Sequence, residues 1–243
     1  ILVIAGKSLI LVNREQLSCL LERGNIVDAL KHLALVHVGQ MLVSLKDGLD
    51  YILGARRRLG LLPAGAFTIK SIVSTDLVTK IAADNGVRLY DVLTGFKYIG
   101  EQIGLLEAEG HPERYIFGFE ESYGYLKGTY ARDKDAVVAS MLIAEMTAYY
   151  KRRGMTLSDA LDALYAKYGY CYEANVEIYM EGLDGPARMA EKMNALRNPA
   201  PAEIAGRKVV KFGDYQAQTI EDRVSGTVES TNLPKSNVLA FTL

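Results

Sequence analysis

Apolar and polar positions switch rhythm at regular intervals along this chain. AFTIKSIV (66–73) is apolar and β-branched and predicts a strand. LVTKIAADNG, with apolar residues at helical spacing, predicts a helix that Ser74, Thr75 or Asp76 can cap and Gly86 can close. VRLYDVL (87–93) predicts a second strand, FKYIGEQIGLLEAEG a helix and YIFGF (115–119) a third strand. DAVVASMLIAEMTAYYKRRG (135–154) predicts a long apolar helix whose basic last turn suits the macrodipole. TLSDALDALYAKYG predicts one more helix and CYEANVEIYM (171–180) one more strand. Strands alternating with helices define an α/β class: a layered α/β/α domain with a mostly parallel or mixed sheet and its chemistry at strand ends.

The rhythm changes after residue 181. GPARMAEKMNALRN predicts a short helix, NPAPAEIAG (198–206) a linker, and RKVVKFGDY and NVLAFTL two strands joined by a long polar stretch. Two strands are too few for an independent core, so residues 181–243 read as an incomplete C-terminal α+β segment, the beginning of a further domain. Residues 44–180 form the α/β domain. Residues 1–43 are unassigned: REQLSCLLERGNIVDALKHLALVHVG has helical spacing but no motif. His32 and His37 lie five apart, off the i, i+4 spacing of a helical metal pair, and read as core or solvated histidines.

Composition narrows the function classes. Of 243 residues, 49% are hydrophobic and 23% charged, as in ordinary globular proteins. The net charge of −1 offers no basic field to recommend nucleic acid or an anionic membrane as partner. Cys19 and Cys171 form neither a metal pair nor a disulfide framework, which favours a reducing cytoplasm. No apolar run reaches the ~18 residues of a membrane span, and ILVIAGKSLILV, broken by Lys7, does not read as a signal peptide. A first residue other than Met suggests a fragment of something longer.

Three polar signatures fall at the predicted strand ends. In LTGFKYIG (93–100), Thr94 and Gly95 open a helix: a small residue lets backbone amides approach a ligand and the hydroxyl adds a donor, although threonine is also a common cap. In GFEES (118–122), Glu120 and Glu121 are acceptors suited to paired sugar hydroxyls and Ser122 both donates and accepts; a solvated polar turn is the competing reading. In ARDKDAVV (131–138), Arg132 and Lys134 stand at a helix start, where acidic residues are favoured, so either an anionic ligand or Asp133 and Asp135 must compensate them.

Taken together, IKSIVSTDL, LTGFKYIG, FGFEESYGY, RDKDAVVASMLIAEM, LRNPAPAEIAGRKV and LPKSNVL resemble, in order and spacing, the third domain and following segment of the α-D-phosphohexomutases, the phosphoglucomutase/phosphomannomutase family. The GFEES form is closer to the phosphoglucomutase branch than to the GExSGH form. The resemblance implies an isomerase of carbohydrate metabolism that interconverts hexose 1- and 6-phosphates of glucose or mannose through a bisphosphate. It implies that Glu120 and Ser122 contact the sugar 3- and 4-hydroxyls and that Thr94 and Gly95 border the sugar. Lys134 matches a lysine that contacts the phosphosugar and assists proton transfer, while Glu121 is structural and Arg132 unassigned.

The same resemblance exposes what the chain lacks. The family's phosphoserine lies in a TASHNP-like loop, and no Ser-His pair occurs here. Its Mg²⁺ is held by a DxDxDR loop, also absent, so the cofactors implied for the full-length enzyme, Mg²⁺ and the activator glucose 1,6-bisphosphate, have no metal ligands in this chain. RVSGTVES (223–230) imitates the family's RPSGTEPK-like phosphate loop but precedes LPKSNVL instead of following it. VIAGKSLILVNREQLSCLL is similar in outline to the hairpin and helix that end the family's second domain. The expected partner is a hexose phosphate, the oligomeric state is open, and the chain alone is expected to be inactive. A non-catalytic sugar-phosphate-binding protein and a structural α/β module remain the alternatives.

Overall fold

The computed structural model describes residues 2–5, 8–11, 45–122 and 124–243. Cys19, His32, His37 and the helical reading of 14–39 lie outside the described residues. In chain order the first elements are β1 (Leu2–Ala5), β2 (Ser8–Leu11), α1 (Leu45–Arg58), β3 (Phe67–Ser71), α2 (Leu77–Asp84), β4 (Arg88–Val92) and α3 (Phe96–Ala108). Then come β5 (Tyr115–Glu120), β6 (Gly124–Leu126), α4 (Ala136–Lys151), α5 (Leu157–Tyr168), β7 (Ala174–Glu177) and α6 (Gly185–Arg197). The chain closes with β8 (Glu203–Ile204), β9 (Arg207–Lys208), β10 (Lys211–Asp214), β11 (Thr219–Asp222), β12 (Thr227–Ser230) and β13 (Val238–Thr242). These fall into two compact units, Asp28–Cys171 and Ile1–Val27 with Tyr172–Leu243.

In the first unit the sheet order is β4-β3-β5-β6, with β4, β3 and β5 parallel and β6 antiparallel. Helices cover both faces, as an α/β/α domain requires. Leu49, Leu53, Val78, Ile81, Phe117 and Phe119 form the core beneath α1, α2, α4 and α5. Phe67, Ile69, Ile99, Ile103 and Tyr115 form the core beneath α3. Each such side chain contributes about 1.5–3 kcal/mol by leaving water. Helix starts follow local chemistry: Asp135 caps α4 by accepting from the Val137 and Val138 amides at 2.8 and 3.1 Å, and Thr156 and Asp159 form a reciprocal capping box on α5.

Strict alternation along YIFGFE would place Tyr115, Phe117 and Phe119 on one face. Instead, Phe67 pairs with Tyr115 but Thr68 pairs with Phe117, so Ile116 is an extra residue in β5. Beyond this bulge the alternation restarts: Tyr115 lies in the α3 core, Ile116, Phe117 and Phe119 lie in the opposite one, and Glu120 turns toward α3.

The second unit is an antiparallel sheet of order β12-β11-β10-β13-β1-β2-β7. Its strand content exceeds the sequence expectation. The polar connection is itself the β11–β12 hairpin, whose strands bury too little for a hydrophobic rhythm to show: β12 is exposed throughout. The single strand expected from RKVVKFGDY divides into β9 and β10, and the one expected at 171–180 is shorter, as β7 beside β2. Met193, Val209, Leu239 and Phe241 make the core under α6. Arg197 pins that helix to the sheet through Asp214 at 3.1 Å and Asn237 at 2.6 Å. RVSGT is the hairpin turn, its Val224 and Ser225 amides donating to Asp222 Oδ1 at 3.0 and 3.1 Å, so both are already committed.

Candidate functional site

The carboxyl ends of β3, β4 and β5 converge, and each delivers polar side chains into the loop that follows. Such ends are where open α/β sheets bind ligands, because the loops diverge there and leave a crevice. Glu120 ends β5 and is only 4% exposed. Its Oε1 accepts from the Gly95 amide at 2.6 Å, so the carboxylate occupies the amino end of α3, where the helix dipole favours a negative charge. Burial pushes the Glu120 carboxyl above the usual carboxylate range, the Gly95 amide pulls it back, and neighbouring Glu121 pushes it up again. Its Oε2 accepts no hydrogen bond from the described residues.

Gly95 makes this geometry possible. It adopts φ +124°, a backbone conformation that side chains resist, and so aims its amide at Glu120 from the first position before the helix. Thr94 beside it is exposed, as is Ser122 two residues beyond Glu120. Neither hydroxyl serves as a cap; α3 has no side-chain cap at all.

Glu121 turns the other way. Its Oε2 accepts from Ser71 Oγ at 2.7 Å, at the end of β3. Ser71 and Ser74 hydroxyls stand 2.8 Å apart; since the single Ser71 proton goes to Glu121, Ser74 is the donor between them. Beneath this turn Lys70, 2% exposed, pairs with Asp91 at 2.9 Å and Asp76 at 3.6 Å and donates to the Ser74 carbonyl at 3.3 Å. The two adjacent glutamates therefore tie two different loops, Glu120 that of β4 and Glu121 that of β3.

Lys134 arrives from the loop before α4. Its stem crosses Gly124, where a Cβ would sit 2.8 Å from the lysine Cδ and 2.9 Å from its Cγ, so any larger residue would push the stem aside. Its ammonium lies 5.1 Å from the centre of the Phe96 ring and pairs with Asp133 at 2.7 Å, within electrostatic reach of Glu120. The expectation that Arg132 and Lys134 stand in the first turn of the helix is corrected: α4 starts at Ala136 behind the Asp135 cap, and both cations precede it. Arg132 is neutralised by Glu107 and bonded to the Thr129 and Ala131 carbonyls.

Thr94, Gly95, Glu120, Ser122 and Lys134 thus come together at one end of the sheet. Sequence reasoning missed Lys70, Ser71 and Ser74. The signal was the polar interruption in IKSIVST, a lysine inside an otherwise apolar strand. Among the described residues no group of three or more histidines, cysteines, aspartates or glutamates is disposed to hold a metal ion, and no helix is long and apolar enough to cross a membrane.

The fold is thus a layered α/β/α domain that gathers hydroxyl- and carboxylate-bearing loops at its strand ends. Residues 47–168 match the family described as phosphoglucomutase/phosphomannomutase, alpha/beta/alpha domain III, and the chain belongs to that family. The phosphoglucomutase of Staphylococcus aureus (strain bovine RF122 / ET3-1) is 38% identical over 171 residues, 70% of this chain and 30% of the relative. That of Staphylococcus haemolyticus is 35% identical over 177 residues, 73% of this chain and 32% of the relative. The open form of parafusin, a phosphoglucomutase from Paramecium, aligns with 83% of this chain and 32% of its own at 20% identity and a TM-score of 0.49. The chain spans about a third of the length of these curated relatives.

Proposed function

We propose that this chain is the sugar-recognition part of a phosphohexomutase that interconverts hexose 1- and 6-phosphates of glucose or mannose through a bisphosphate. The observation that carries the reading is Glu120: one carboxylate oxygen is fixed by Gly95, while the other accepts no hydrogen bond from the described residues, and Thr94 and Ser122 are exposed on the adjoining loops. A bisphosphate that turns over must be read in both orientations, so contacts near its pseudo-symmetry axis serve both half-reactions. Glu120 accepts from the 3- and 4-hydroxyls, Ser122 completes that pair, Thr94 and Gly95 border the ring, and Lys134 balances phosphate charge and moves a proton at its ammonium.

Phosphoryl transfer rests on positioning and electrostatics. The phosphoserine and magnesium loops are absent from this sequence, so the chain alone is expected to give no turnover with Mg²⁺ and glucose 1,6-bisphosphate. A cytoplasmic location belongs to the same proposal.

The structural-module reading has one observation in its favour: both glutamates already hold loops. Titrating glucose 1-phosphate into the chain while following backbone amides by NMR separates the two. Shifts centred on Gly95, Glu120 and Ser122, weakened about ten- to a hundredfold by Glu120→Gln, support recognition, because a hydrogen bond to a charged acceptor is worth ~1.5–3 kcal/mol. Saturating sugar phosphate with no response at those amides would leave the structural module as the reading.

A further inference from the structure

The end of the α/β/α unit away from the candidate site carries a concentration of positive charge that the sugar chemistry does not use. α4 runs from the site at Asp135 to Lys151 over 16 residues, or ~24 Å at 1.5 Å per residue. There the last turn of α1, Arg56, Arg57 and Arg58, meets Lys151, Arg152 and Arg153. The two helix ends share one ring: Arg153 lies 3.5 Å and Arg58 5.0 Å from the centre of Tyr149.

Cations at helix carboxyl ends have an ordinary explanation in the macrodipole. Its magnitude falls short here. Each helix end supplies about half a negative charge, so two ends offset roughly one of six. Among the described residues none of the six is paired with a carboxylate. The carboxylates within electrostatic reach, Asp50 and Asp84, are occupied by Tyr168 and by Lys167 with Tyr168.

The guanidinium groups are held without being neutralised. Arg56 donates to the Leu61 carbonyl at 3.2 Å, Arg57 to the Asp84 carbonyl at 3.2 Å and Arg153 to the Tyr149 carbonyl at 3.1 Å, while Arg58 stacks on the ring. Each keeps further N–H groups in a fixed fork for a carboxylate. Directly after Arg58, Leu59 and Leu61 are 71% and 60% exposed.

We propose that this face is a docking surface for an acidic protein segment that carries apolar side chains among its carboxylates. Charge complementarity selects an anion, and the exposed leucines select a partner that is not purely ionic. Five of the six cations are arginine, and one aromatic ring lies between two of them. Arginine and aromatic residues are enriched at protein interfaces, whereas lysine is depleted there, and a membrane or nucleic-acid backbone would be served equally by lysine.

A fluorescein-labelled peptide of alternating glutamate and leucine, titrated with the full chain and followed by anisotropy, tests this. Binding should weaken about tenfold from low to physiological salt. R58Q/R153Q should weaken it about tenfold again, and R58K/R153K should fail to restore it, because lysine lacks the planar fork. Arg152→Glu, on an exposed side chain with no hydrogen bond or ion pair among the described residues, gives the same direction and sacrifices only a favourable charge at the helix end. Circular dichroism of each variant separates lost binding from lost fold. No binding, binding indifferent to Arg152→Glu, or tighter binding to anionic phospholipid vesicles or duplex DNA than to the peptide overturns the proposal.

Discussion

Glu120 is a buried acceptor that the fold itself uses. The sequence leaves open whether it faces a ligand, with little effect of Glu120→Gln on stability, or bridges the strand end; the Gly95 contact gives it a folded-state partner. Glutamine keeps an oxygen that can accept from the amide and sheds a charge whose burial outweighs the help of the Gly95 amide, so Glu120→Gln should be neutral or slightly stabilising at neutral pH. Glu120→Ala leaves the Gly95 amide without its acceptor and should cost about 1–3 kcal/mol, measured by urea unfolding of the chain. The raised carboxyl also sets a sign. The folded state binds the proton more tightly than the unfolded one, so this group's contribution is fully present below the ordinary carboxylate value and is lost as pH rises through the raised one. Glu120→Gln should abolish that part of the pH profile; a profile unchanged by the substitution would show that the carboxyl titrates normally.

At the scale of elements, what could be read from sequence was what burial dictates. YIFGF buries both faces, VRLYDVL buries its two ends at Val87, Val92 and Leu93, and α3 between them buries Phe96, Ile99, Ile103 and Leu106 at helical spacing. The β11–β12 hairpin buries neither strand fully, so its residues carry no such mark, and only turn chemistry at Asp222, Ser225 and Gly226 records it. The site was legible where a motif sat at a strand end, in GFEES and LTG. It was illegible where a long-range partner decides the role, as in the bond between Ser71 and Glu121. Asp222 offers a test of the hairpin. Amides of Ser225 and Val224 together with Lys211 hold its carboxyl down at about 2. The stabilisation it gives is present above the ordinary value of 3.8 and is lost as pH falls toward about 2. Protection of the β11 and β12 amides from hydrogen exchange should therefore drop across that window, and Asp222→Asn should remove the dependence.

The whole chain displays an apolar stripe that its own described residues leave uncovered. Val137, 71% exposed, and Met141, 66% exposed, lie one turn apart on α4, with exposed Ala144 and Ala148 continuing the same line. An uncharged stripe of this kind marks a contact surface or an aggregation liability. Sedimentation velocity should show concentration-dependent self-association of the chain, and V137S/M141Q should shift it toward monomer. A monomer at every concentration would show that the stripe is not adhesive.

The extra residue in β5 leaves the direction of the two acids untouched. Pairing with β3 sets the faces on either side of it, Tyr115 opposite Phe67 and Phe117 opposite Thr68, so dropping Ile116 would close the ladder without turning Glu120 or Glu121. What the deletion would remove is a fully buried side chain from the core beneath α1, α2, α4 and α5. A change of chain length at this point is therefore felt as packing and not as chemistry, because the neighbouring strand holds both acids in register.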